Sequence, residues 1–180
     1  MEVSLKEETL SSLRIYEGHT INLRVDTVKM PSGQESIREV VEHRECVAVV
    51  PIDNEGNVLL VNQFRYALGK ELLEIPAGGI DPGEGPEEAV RRELQEETGY
   101  LPKKLKRLGG FYSTPGFCNE YLHLFLATEL VPSQLYAEDT EGIKVVRVPV
   151  GQVRRLIASD EICDAKSVAG LCAYLESQAG

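Results

Sequence analysis

Apolar and polar positions alternate early in the chain. Ile21, Leu23 and Val25 are separated by polar neighbours at the two-residue period of a strand, so residues 12–28 predict a small antiparallel sheet. Met30, Pro31, Ser32 and Gly33 break the pattern, SIREVVEHR resumes it, and CVAVVPI has the β-branched composition of a strand buried on both faces. Asp53, Asn54, Glu55 and Gly56 predict a tight turn, with GNVLLVNQFRY as the hairpin partner of CVAVVPI. LLEIPAGGIDPGEGP then reads as a long glycine- and proline-rich loop ahead of a helix.

That helix is expected to begin near Pro86, because proline suits a first turn and Glu87 and Glu88 favour the positive end of the dipole. Gly99 is its expected stop. Beyond it, KLKRLGGFYS, YLHLFLATEL and IKVVRVPV predict strands. VGQVRRLIAS and DAKSVAGLCAYLES carry apolar residues three and four apart and predict helices, the second with Asp164 as N-cap.

Projected at about 100° per residue from Glu93, Glu96 falls near 300° and Glu97 near 40°, among Ala89, Val90 and Leu94. Glu88, Arg91, Gln95 and Thr98 fall between roughly 140° and 220°, which supplies a separate solvated face. A charge run that merely faced water would place its glutamates there. Carboxylates beside an apolar stripe repel one another and lose hydration, so a cation is expected among them. Magnesium suits the task, with manganese as the alternative, since it takes oxygen ligands and bridges carboxylates to phosphates. Arg92 is expected to orient the cluster by pairing with Glu84 or Glu96.

Composition narrows the remaining classes. A net charge of -10 disfavours broad binding to nucleic acid. Cys46, Cys118, Cys163 and Cys172 form no CxxC pair, against a zinc ribbon or a disulfide framework. No stretch approaches the roughly 18 apolar residues of a membrane span, and the acidic start MEVSLKEETLSS does not read as a secretory signal. A cytoplasmic location without a membrane role is the expectation.

Residues 78–100 read GGIDPGEGPEEAVRRELQEETGY. Gly78, Glu84, Arg92, Glu93, Leu94, Glu96, Glu97 and Gly99 occupy the fixed positions of G-x5-E-x7-R-E-U-x-E-E-x-G-U, and this segment resembles the Nudix box. Tyr100 stands where an aliphatic residue is commoner. The resemblance implies magnesium-dependent cleavage of a nucleoside diphosphate linked to another group, with Glu93, Glu96, Glu97 and the Ala77 carbonyl as metal ligands.

Outside the box, the chain is similar to the ADP-ribose pyrophosphatases. Pro115 lies 16 residues beyond Gly99 in TPGFCNE, as in those enzymes, and Gly116 and Glu120 of that run are expected at the substrate. Gln63, Phe64 and Arg65 resemble a Q-[FY]-R motif whose arginine contacts a phosphate, and Glu74 begins an E-[LI]-P-A-G motif near the nucleotide. The same likeness puts His43 and Arg44 at the adenine and ribose pocket. It also puts the general base on the acidic stretch from Glu138 to Glu141, where Glu141 fits the spacing to Ile143 and Asp139 is the rival, ahead of Glu138.

The implied fold is an α/β/α sandwich around a mixed sheet, in the α+β class, preceded by a small antiparallel β-domain. The division expected is residues 1–42 for the β-domain, forming a homodimer, and 43–180 for the catalytic domain. The resemblance then implies that ADP-ribose is split to AMP and ribose 5-phosphate by a metal-bound or base-activated water, with Glu96 as the base if neither Glu141 nor Asp139 serves. Three alternatives stand beside this reading: another nucleotide-sugar specificity such as GDP-mannose, a non-catalytic nucleotide-sensing module, and a triphosphatase for damaged nucleotides. Intact Glu93, Glu96 and Glu97 weigh against the second, and Pro115 and the N-terminal strands against the third.

Overall fold

A computed structural model describes residues 5–137 and 140–178. These fall into two compact units, one of residues 5–44 with Tyr112–Tyr121 and one of Glu45–Phe111 with the rest.

The smaller unit is a three-stranded antiparallel sheet in the order β1-β2-β3, from β1 (Glu8–Glu17), β2 (Ile21–Lys29) and β3 (Glu35–His43). The pairing of β2 with β3 runs unbroken from Ile21 opposite His43 to Lys29 opposite Glu35. The turn between them depends on Gly33, whose φ of 86° falls in the left-handed region. Every residue of β1 is exposed, including Leu13 and Ile15. In the same unit the TPGFCNE run joins β3, with the Val41 N–H donating to the Phe117 carbonyl at 2.7 Å.

The larger unit has the expected three-layer architecture. One sheet has the order β7-β4-β9-β8, from β4 (Cys46–Pro51), β7 (Ala77–Gly79), β8 (Tyr100–Tyr112) and β9 (Tyr121–Pro132). Strand β4 is antiparallel to β7 and parallel to β9, so this sheet is mixed. A second, antiparallel sheet has the order β10-β5-β6, from β5 (Asn57–Arg65), β6 (Lys70–Glu74) and β10 (Lys144–Pro149).

The pleat sorts the core into two layers. Val47, Val49, Leu59 and Phe125 pack with Ala89, Val90 and Leu94 of α1 (Pro86–Thr98). Ala48, Val50, Leu60 and Leu124 turn the other way, onto α2 (Val153–Ala158) and α3 (Ala165–Ser177). Helix α3 lies close to the strands at Gly170, where an added Cβ would come 2.8 Å from Ile75 Cδ1.

Two expectations are corrected. The stretch LLEIPAGGIDPGEGP is not a continuous loop, because its first residues complete β6 and Ala77–Gly79 form β7 against Cys46–Ala48. The turn at Asp53 makes only one bridge, Ile52 to Val58, and β5 pairs with β10 and β6 instead. Val58 to Val61 are buried on both faces, which suits the centre of a sheet.

Candidate active site

Helix α1 is set by its ends. Pro86 opens it, the Gly85 N–H donates to Glu88 Oε2 at 2.8 Å, and Gly99 closes it with φ 77°. Burial of Ala89, Val90 and Leu94 fixes its rotation, and this holds the side chains of Glu93 and Glu96 at 13% and 14% exposure. Thr98 is also buried and donates to the Leu94 carbonyl, so it does not belong to a solvated face.

Arg92 ties four groups together. Its Nε and Nη2 grip both oxygens of Glu84 at 3.0 and 2.9 Å, and Nη2 also donates to the Gly79 carbonyl at 2.9 Å. Nη1 donates to Glu93 Oε1 at 2.8 Å and Glu96 Oε2 at 3.1 Å. Glu84 first, then Glu93, raises the guanidinium above its ordinary pKa.

Strand β7 brings backbone to the acids. The Ala77 N–H donates to Glu97 Oε2 at 3.1 Å, and the carboxylate of Glu93 lies where a side chain on Gly78 would stand. Glycine is therefore required here by close approach. Burial first, and then the charge of Glu93, pushes the Glu97 carboxyl up to about 8, against the opposing pull of the Ala77 N–H, Arg65 and Lys166.

Glu93 and Glu97 at the Ala77–Gly78 peptide, with Glu96 joined to Glu93 through Arg92, bring hard-oxygen donors together, and a divalent cation fits such donors. Glu96 and Glu97 also line a cavity of about 490 Å³ whose other walls include Glu141, Tyr136 and Ile143. Glu138 and Asp139 lie outside the described residues.

A second charged group lies at the start of α3. Glu74, only 1% exposed, accepts from Arg65 Nε at 3.1 Å, from Arg65 Nη2, and from Lys166 Nζ at 2.7 Å. Hydrogen bonding to Glu74 holds Arg65 above its ordinary pKa. Lys166 also donates to Asp164 Oδ1, which caps α3 through the Ser167 N–H, and buried Ser167 accepts from the Ile75 N–H at 2.8 Å. Nothing in the sequence marks Lys166, since one lysine inside an apolar helical pattern gives no sign of a buried carboxylate partner.

In the smaller unit, His43 and Arg44 line a cavity of about 290 Å³ with His19, Asn22 and Glu42. The His43 N–H donates to Asn119 Oδ1 at 2.8 Å, and its ring Nδ1 lies 3.6 Å from Glu120. Gly116 has open space above its Cα.

An α/β/α sandwich that brings glutamates of one helix to a glycine strand defines a class shared with known proteins. Residues 42–170 match the NUDIX domain, and the chain belongs to that family as a hydrolase. Nudix hydrolases use divalent metal ions. Residues 7–41 match the nucleoside diphosphate sugar hydrolase N-terminal domain. The chain is similar to an ADP-ribose pyrophosphatase of Bacillus subtilis, 41% identical over 91% of this chain and 90% of the relative. A methanol dehydrogenase activator of Bacillus methanolicus is 36% identical over 96% and 94%. In fold it resembles the crystal structure of an ADP compounds hydrolase, with a TM-score of 0.88 and 24% identity, covering 96% of this chain and 95% of that one. Among the described residues no helix is long and apolar enough to cross a membrane.

Proposed function

We propose that the protein hydrolyses the pyrophosphate of ADP-ribose to AMP and ribose 5-phosphate with magnesium, or manganese in its place. The observation that carries this reading is the meeting of Glu97 and Glu93 with the Ala77–Gly78 peptide, with Arg92 joining Glu93 to Glu96. Likeness to the Bacillus subtilis enzyme over nine-tenths of both chains supports ADP-ribose as the substrate.

Magnesium would be held by Glu93, Glu96, Glu97 and the Ala77 carbonyl, where it supplies charge against the pyrophosphate and the developing transition state. Arg65 offers its exposed side to a phosphate oxygen, and buried Glu74 together with Lys166 keeps that guanidinium in place. Glu74 thus supports the substrate contact from below. Glu141, which lines the same cavity as Glu96 and Glu97, takes the proton of the attacking water. His43, Arg44, Gly116 and Glu120 are assigned to the nucleoside and ribose.

The strands of residues 1–42 are assigned to a homodimer, since the wholly exposed β1 carries Leu10, Leu13 and Ile15 and needs a cover. Residues 43–180 are the catalytic domain, and the cytoplasm is the assigned location. A panel of ADP-ribose, GDP-mannose and other nucleotide sugars tests the substrate. The highest kcat/KM is expected for ADP-ribose, and a higher value for GDP-mannose would replace it.

A further inference from the structure

We infer that Gln95 and Gln134 are positioning residues which latch residues 133–135, in the wall of the cavity that Glu141 also lines, onto the C-terminal turn of α1. The inference rests on the assignment of Glu141 as the base.

A helix leaves its last carbonyls without intrahelical partners. At α1 the Gln95 carbonyl already accepts from the Gly99 N–H at 3.0 Å, and further donors reach it and the Glu96 carbonyl from across the chain. Gln134 Nε2 lies 3.4 Å from the carbonyls of both Gln95 and Glu96, and it also donates to the Leu135 carbonyl at 2.8 Å. Gln95 returns the contact, its Nε2 donating to Ser133 Oγ at 2.8 Å. Backbone completes the latch, with the Ser133 N–H donating to the Gly99 carbonyl at 2.8 Å and the Leu135 N–H to the Gln95 carbonyl at 3.5 Å.

Gly99 serves this arrangement twice. It adopts the left-handed φ of the stop, and an added Cβ would stand 2.5 Å from Gln134 Oε1. Downstream, the Thr140 N–H and hydroxyl both reach the Ala137 carbonyl, the Ile143 N–H reaches that of Thr140, and Lys144 enters β10 opposite Asn62.

Gln134 and Glu141 line the same cavity, and Glu141 is followed within three residues by the start of β10. The latch is bonded to the backbone of Glu96 itself, so a shift of that segment changes the separation of base and acids. Gln95 occupies the variable position of the box and points away from Glu93, near 200° on the helix. Neither glutamine belongs to the acid cluster.

Two variants of the full chain separate a latch from an ordinary helix cap. Gln134→Met keeps the shape and removes the donor, whereas Gln134→Lys keeps a donor aimed at helix-terminal carbonyls. In Gln134→Met, hydrogen exchange at the amides of residues 140–145 is expected to quicken roughly three- to tenfold. Its kcat on ADP-ribose with magnesium is expected to fall about ten- to a hundredfold, with KM and manganese affinity within about threefold of the parent. Gln134→Lys should restore both exchange and kcat. Unchanged exchange in Gln134→Met, or faster exchange with full kcat, overturns the inference. The assignment of Glu141 fails separately, if Glu141→Gln keeps full kcat.

Discussion

A Cβ placed on Gly78 would stand 2.1 Å from Cδ of Glu93. The clash is with the far end of a flexible side chain that Arg92 holds, so Gly78→Ala displaces a carboxylate without disturbing the core. The melting temperature is expected to move by no more than about 2 °C. Divalent-metal affinity and kcat should fall at least tenfold, since small misplacements at a reacting centre are costly. Calorimetric metal titration beside a thermal melt checks this, and an unfolded or fully active variant would contradict it.

Glu97 makes the metal-free protein sensitive to pH. Its carboxyl is raised from 4.5 to about 8 by burial and by Glu93, so between these values the fold keeps a proton that the unfolded chain has lost. Its contribution to stability is full below about pH 4.5 and is lost as pH rises through 8. Denaturant unfolding of EDTA-treated protein should show this decline, and Glu97→Gln should flatten it while lowering turnover by several orders of magnitude. Metal binding near pH 7 should release up to about one proton, read from calorimetry in buffers of different ionisation enthalpy. A stability that climbs steadily from pH 5 to 8 in both proteins would refute the assignment.

Glu141→Gln is expected to lower kcat by about 10²–10⁴ with little change in KM or metal affinity, because a general base acts on proton transfer alone. Glu120→Gln should raise KM instead. Kinetics on both, with Asp139→Asn beside them, decide the base. A large loss confined to Asp139→Asn moves the role two residues upstream.

The exposed β1 strand sets the expectation for assembly. Sedimentation should give a dimer. Leu13→Glu or deletion of residues 1–40 should leave an aggregating or inactive protein. A soluble, monomeric and active truncation would show that the extension does not complete the enzyme.

Much of the helix was legible because its signals are local. Pro86, the two first-turn glutamates and Gly99 mark its ends, and the apolar spacing places the acids beside the core. Other features depend on partners far along the chain. Ala77–Gly79 carry the composition of a loop yet form a strand, since β4 offers a ladder and Glu93 demands a glycine. Gln95 and Thr98 project to the solvent side, but the distant residues 133–135 bond to the former and the latter is buried. The grip of Lys166 on Glu74 spans 92 residues of sequence, beyond the reach of any periodicity.

Incubation of ADP-ribose with EDTA-treated protein, with and without added magnesium, followed by chromatography of the products, tests the central proposal most directly. Equal amounts of AMP and ribose 5-phosphate are expected with the metal and neither without it. Turnover that persists without any divalent ion, or binding of ADP-ribose with no cleavage in saturating magnesium, would contradict the account.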